Sequence, residues 1–157
     1  EEGKVEVDMT ELNVREFMDY VIVEMHEMSA DHEIVYEHTG KGYFSFDPKL
    51  MKNILLNLIS NAIKFSPGGE KVTVLSDAGE RVLVLTVSDR GIGIPAEDRE
   101  HLFERFFRGN NVTNIQGTGL GLNIVMRYVE LMNGTIEIDS EQNKGTTVTI
   151  RIPANHG

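Results

Sequence analysis

The chain has 157 residues, no cysteine, and 25 acidic against 15 basic side chains, for a net charge of −10. That length suits one domain with a core of its own, and the lack of thiols excludes both a disulfide framework and a thiolate metal site. So acidic a chain argues against a broad nucleic-acid surface, so any bound anion must be held locally, and no apolar run reaches the roughly 20 residues of a membrane-spanning helix.

KVEVDMTEL starts as a short alternating strand. Thr10 is then placed to cap a helix running to about Ala30, with Leu12, Phe17, Tyr20, Val21, Met25 and Met28 near one face. EIVYEHTGKGYFSF reads as two short strands around Gly40 and Gly42. Asp47-Pro48 resembles an N-cap followed by proline at the first helical position, so a helix is predicted to about Phe65, where SPGG ends it. EKVTVLSDAGERVLVLTVSD reads as a hairpin with Asp77, Ala78 and Gly79 at its turn. A glycine-dense region from Gly91 to Gly121 follows, and out of it a helix from Thr118 to Met132 that should stop at Asn133-Gly134. The tail is a second alternating hairpin around Asn143 to Gly145. This order predicts an α/β (α+β) two-layer sandwich: a mixed, mostly antiparallel sheet of about five strands plus a short strand pairing, with three main helices on one face.

Four stretches carry polar groups in patterns that call for chemistry. In NILLNLISNAIKFSP, the helical advance of about 100° per residue puts Asn53, Asn57, Asn61 and Lys64 within roughly an 80° arc, on a helix otherwise apolar. Neutral amides and one ammonium suit a Mg²⁺ ion that takes its other ligands from phosphates and waters, or simply a polar face bonded to a nearby loop. VLVLTVSDRGIGIP runs an apolar strand into Asp89, Gly91 and Gly93. A carboxylate there can accept a hydrogen bond from an exocyclic amine such as adenine's beside glycines that let a flat ring approach, or the segment is an ordinary tight turn. The stretch from Pro95 to Gly117 is too long for a plain connection. It reads as a lid pinned by Phe103, Phe106 and Phe107, with Arg105 and Arg108 available to phosphate oxygens, or as a short amphipathic helix with solvated arginines. GTGLGL, Gly117 onward, lacks the Lys-Ser/Thr of a P-loop and follows no strand, yet the free N–H groups of the helix it opens can hold an anion.

In order and spacing these stretches resemble, over about residues 47 to 153, the ATP-binding catalytic domain of sensor histidine kinases, within the superfamily that includes gyrase, mismatch-repair ATPases and a heat-shock chaperone. NLISNAIKFSP is similar to that family's N-box, DRGIGIP to its first glycine box, FERFF to its F-box and GTGLGL to its second glycine box. The resemblance implies a Bergerat-type sandwich, residues 1–157 as a single catalytic domain, binding Mg-ATP under a mobile lid at 95–117. It implies Asn61 as the Mg²⁺ ligand and Asn57 and Lys64 at the phosphates. Asp89 would meet the adenine amine, and Phe65, Gly91, Gly93 and Ile94 would lie around the base. Gly117, Thr118, Gly119, Leu120 and Gly121 would hold the phosphate end, with Arg105 or Arg108 at the γ-phosphate.

The ATPase branch of the superfamily carries a Glu one helical turn before the metal-binding Asn, where this chain has Asn57, so the resemblance implies transfer rather than hydrolysis. His26-Glu27 and His32-Glu33 lack the proline that follows an acceptor histidine and read as surface residues. EEGKVEV resembles the segment after an acceptor hairpin. The implied partner is therefore a dimerisation and phosphoacceptor-histidine domain upstream in a larger, homodimeric, cytoplasmic or membrane-anchored kinase that serves a response regulator, with this fragment monomeric. Two alternatives share the fold: a serine kinase of the anti-sigma-factor type, which generally keeps the Glu and lacks FERFF, and a nucleotide-binding module without catalysis.

Overall fold

The computed structural model describes residues 6–28, 32–64, 70–91, 118–141 and 144–154. The elements are β1 (Thr10–Asn13), α1 (Val14–Met28), β2 (Glu33–Gly40), β3 (Tyr43–Phe46), α2 (Pro48–Lys64), β4 (Lys71–Ala78), β5 (Val82–Asp89), α3 (Thr118–Leu131), β6 (Thr135–Glu141) and β7 (Gly145–Pro153). Five strands form one sheet in the order β2-β4-β5-β7-β6, and β1 pairs with β3 in a separate two-stranded ribbon. Among the described residues only the β2–β4 pairing is parallel, as expected for strands joined by a crossover that contains α2.

Alternation along the strands sorts the sheet into two faces. Val72, Val74, Leu83, Leu85, Val87, Val148, Ile150 and Ile152 are buried, whereas their neighbours Thr73, Leu75, Thr86, Thr149 and Arg151 are half-buried or exposed. The helices cover the first face and leave the second to solvent, which is the predicted two-layer sandwich. α2 is the central helix: Leu50, Met51, Ile54, Leu55, Leu58, Ile59 and Ala62 are buried, and it packs on β4, β5, α1 and α3. Against α1 it sets the Phe46 ring, reached through the β3–α2 junction, edge-on to Phe17 at 5.0 Å between centroids. Among the described residues no helix is long and apolar enough to cross a membrane.

Asp47 caps α2 as its sequence position suggests. Its buried carboxylate accepts from the N–H of Lys49 (2.9 Å) and Leu50 (3.2 Å) at Oδ1 and from Asp8 (2.7 Å) at Oδ2, so the cap also ties down the entering chain. α3 ends in two reverse hydrogen bonds, Gly134 N–H to the Val129 carbonyl and Asn133 N–H to Glu130, both at 2.9 Å. Asn133, not Gly134, takes the left-handed conformation, with φ 63°.

Three predicted boundaries move. Thr10 does not cap α1, because Thr10–Asn13 pairs with β3; Asn13 is the cap, its Oδ1 accepting from Glu16 N–H at 2.9 Å. The first strand accordingly lies later than KVEV, of which residues 4–5 fall outside the described residues. The β4–β5 turn lies at residues 79–81, with Gly79 N–H donating to Val82. Ala78 stays in β4 as a fully buried residue against which Gly40, at φ +87°, packs so closely that a Cβ would sit 2.3 Å from the Ala78 carbonyl oxygen.

Candidate functional site

α2 presents Asn53 and Lys64 exposed and Asn57 and Asn61 half-buried, on the side left by its apolar stripe. The Asn57 amide nitrogen donates to the Asn53 carbonyl at 2.9 Å. Within a carboxamide only the N–H donates and the oxygen only accepts, so the Asn57 Oδ1 is the atom left available. Among the described residues the Asn61 carboxamide has no hydrogen-bond partner and the Lys64 ammonium has no ion pair. Nor do the described residues contain any group of three His, Asp or Glu able to hold a metal. The donor set is thus neutral oxygens beside an ammonium. It fits Mg²⁺ that brings phosphate ligands with it, and it does not fit a cation held by protein carboxylates alone. Asn53, Asn57 and Ser60 share with Met25 and Leu56 a cleft of about 290 Å³ between α1 and α2.

Asp89 ends β5. Its Oδ1 accepts from the Gly91 N–H at 2.8 Å, and its carboxylate accepts from the backbone N–H of Thr146 on β7. Burial nevertheless dominates and holds its pKa above the ordinary carboxylate value, the two N–H groups opposing the shift. A carboxylate with two backbone donors and incomplete solvation retains lone pairs for one more donor, such as a ligand amine. Asp89 lines a second cleft, about 490 Å³, with Glu70, Lys71, Thr73, Ser88 and Arg90.

The structure therefore places the asparagine stripe and Asp89 on two elements that pack directly on each other, α2 and β5; among the described residues Asn53 and Asn57 line one cleft and Asp89 the other. Asn61 lines neither. Thr118, Gly119, Leu120 and Gly121 form the first turn of α3, which also packs on α2 and whose leading N–H groups lack intrahelical acceptors. Gly91 is buried beside the Asp89 carboxylate. Phe65, Gly93, Ile94, Arg105, Arg108, Gly117 and the expected lid at 95–117 lie outside the described residues.

Motif reading missed the β7 side of this site. Gly145, at φ +119°, approaches the Asp89 backbone so closely that a Cβ would stand 2.1 Å from its carbonyl oxygen, and Thr146 supplies one of the two N–H donors. In the sequence Gly145 is only a turn glycine; the cross-strand register that seats it on Asp89 has no local signal.

The family described as histidine kinase-, DNA gyrase B-, and HSP90-like ATPase matches residues 46–156. The histidine protein kinase DivJ of Caulobacter vibrioides is 42% identical over 108 residues, 68% of this chain and 18% of that protein. The sensor-like histidine kinase SenX3 of Mycobacterium tuberculosis is 36% identical over 152 residues, 94% of this chain and 37% of that protein. Among solved structures, the mycobacterial sensor histidine kinase MprB aligns with a TM-score of 0.79 at 29% identity, covering 93% of this chain and 99% of that one. The nucleotide-free catalytic domain of histidine kinase ThkA aligns with a TM-score of 0.80 at 28% identity, covering 94% and 96%. The chain thus spans well under half the length of the curated relatives it matches, and nearly all of solved kinase domains. With the sandwich and the family match in agreement, the chain belongs to the histidine kinase-, DNA gyrase B- and HSP90-like ATPase family.

Proposed function

We propose that this chain is the ATP-binding catalytic domain of a sensor histidine kinase, giving the γ-phosphoryl group of Mg-ATP to a histidine on a separate dimerisation and acceptor domain. One observation carries transfer over hydrolysis. Where the ATPase branch places a water-activating Glu, Asn57 stands with its nitrogen committed to the Asn53 carbonyl, and a carboxamide takes no proton near neutral pH. The relatives support the same reading, being histidine kinases by name.

In this reading Asp89 accepts the adenine amine, oriented by the N–H groups of Gly91 and Thr146. Asn61 would hold Mg²⁺ through its amide oxygen, which has no hydrogen-bond partner among the described residues, with Asn57 and Lys64 at the phosphates, and when bound the ion neutralises phosphate charge. The first turn of α3 offers N–H groups to the phosphate chain. Roles for Phe65, Gly93, Ile94, Gly117, Arg105, Arg108 and a lid at 95–117 rest on the motif resemblance alone. In the transfer itself, an acceptor imidazole nitrogen forms the P–N bond, the bond from γ-phosphorus to the bridging oxygen breaks, ADP keeps that electron pair, and the imidazole proton is lost. The protein's part is to position and to stabilise charge. Need for ATP places the domain on the cytoplasmic side of any membrane its parent crosses, and the parent acts as a dimer upstream of a response regulator.

The test is to incubate the purified chain with γ-labelled Mg-ATP and the separately produced histidine-bearing hairpin of its parent. Acid-labile phosphate on histidine is expected. Acid-stable phosphoserine on a partner protein, or nucleotide binding with no transfer in any pairing, overturns the reading.

A further inference from the structure

Asp89 lies opposite Thr146 in the β5–β7 pairing, and Thr146 lies opposite Ser140 in the β6–β7 pairing, so the three residues form one row across three strands. Ser140 is a buried polar residue, 4% exposed. Its Oγ donates to the Gly145 carbonyl at 3.1 Å and lies 2.8 Å from the Thr146 hydroxyl. A carbonyl can only accept and a hydroxyl has one proton, so the Thr146 hydroxyl donates into Ser140. One side chain therefore fixes both Gly145 and Thr146.

Both of these β7 residues adjoin Asp89. Gly145 packs against its main chain, a Cβ there reaching 2.1 Å from the Asp89 carbonyl oxygen and 2.9 Å from the Arg90 Cα. Thr146 gives its N–H to the carboxylate. If the base of the β6–β7 hairpin loosens, the Asp89 backbone loses its backing and its carboxylate loses one of two orienting donors. A hydrogen bond to a ligand weakens steeply with misalignment, so a small rotation of this carboxylate matters to a base amine and leaves the phosphate end untouched.

We propose that Ser140 is a positioning residue for base recognition, setting through Gly145 and Thr146 the direction in which the Asp89 carboxylate faces the purine. This rests on the reading of Asp89 as the acceptor for the adenine amine. Ser140 itself does not touch nucleotide; its effect is on selectivity for the base.

The experiment is calorimetric titration of the folded chain with Mg-ATP and with Mg-inosine triphosphate, whose purine carries a carbonyl in place of the amine. The wild type is expected to prefer ATP by about 10- to 100-fold, the range of a charge-assisted hydrogen bond. Ser140→Ala should reduce that preference by about 3- to 10-fold, chiefly by weakening ATP, and should change nothing further in an Asp89→Asn background. Ser140→Cys keeps nearly the same volume but offers only a weak donor, so it preserves packing and should shift the preference in the same direction. A preference that survives Asp89→Asn overturns the reading of Asp89, and this inference with it. A preference that collapses in Asp89→Asn but is unchanged in Ser140→Ala and Ser140→Cys, or a Ser140 effect that lowers both nucleotides equally, overturns this inference alone.

Discussion

Asp89→Asn separates what the fold wants at this position from what the ligand wants. Burial is the main influence on the carboxyl and raises its pKa, against the opposing N–H groups of Gly91 and Thr146. With the folded value above the unfolded one of about 3.9, the group's contribution to stability is fully present below the unfolded pKa and is lost as pH rises through the folded pKa. The ionised form of Asp89 is thus a charge the empty fold would be more stable without, whereas a bound amine would reward it. Asparagine cannot ionise. It also offers the Gly91 and Thr146 N–H groups one neutral amide oxygen in place of a charged carboxylate, but that cost is the same at every pH, so the slope is diagnostic and the offset is not. Urea denaturation of both proteins between pH 3.5 and 7, chosen as roughly the window in which carboxylates titrate, should show the Asn variant gaining on the wild type as pH rises. Over the same pair, ATP affinity should fall about 10- to 100-fold, from the roughly 1.5–3 kcal/mol of a hydrogen bond to a charged acceptor. A wild type that gains on the variant as pH rises, or a variant that binds ATP undiminished, refutes the reasoning.

Asn61→Ala should leave the unfolding free energy within about 0.5 kcal/mol of wild type, since the amide has no partner among the described residues, while removing most of the Mg²⁺ dependence of ATP binding measured with and without the metal. Gly134→Ala should cost about 1–3 kcal/mol in urea denaturation, because the new Cβ would meet the Arg151 carbonyl oxygen at 2.4 Å and Ile152 Cδ1 at 2.7 Å. Ile59→Ala, at a fully buried position on α2, should cost about 2–5 kcal/mol by the same assay, with the spread set by how far α1 and α3 collapse onto the gap.

The parts of this protein that could be read from its sequence are those fixed within one element. The helical period alone puts Asn57, Asn61 and Lys64 on one face of α2, Asp47-Pro48 announces that helix's start, and Asn133-Gly134 its successor's end. Thr10 failed as a cap for a non-local reason. Thr10 and Asn13 are both good capping residues, and the choice between them is made by the β1–β3 pairing, which involves residues 43–46. The glycine at Gly134 was visible, yet its use was not: Asn133 takes the left-handed turn, and Gly134 is required by the approach of β7 at Arg151 and Ile152.

The same distinction divides the candidate site. Asp89 is legible because an apolar strand runs straight into it, but its orientation depends on Gly145 and Thr146, more than fifty residues later, and on Ser140 behind them. No periodicity or motif spacing encodes a register across three strands. The consequence is physical. A glycine in what looks like a connecting turn has its Cβ position filled by the backbone of the residue assigned to the ligand, so the β6–β7 hairpin cannot move without moving Asp89. Substitutions at the base of that hairpin should therefore appear first as altered discrimination between purines and only afterwards as loss of fold, the reverse of the order expected for Ile59 in the core.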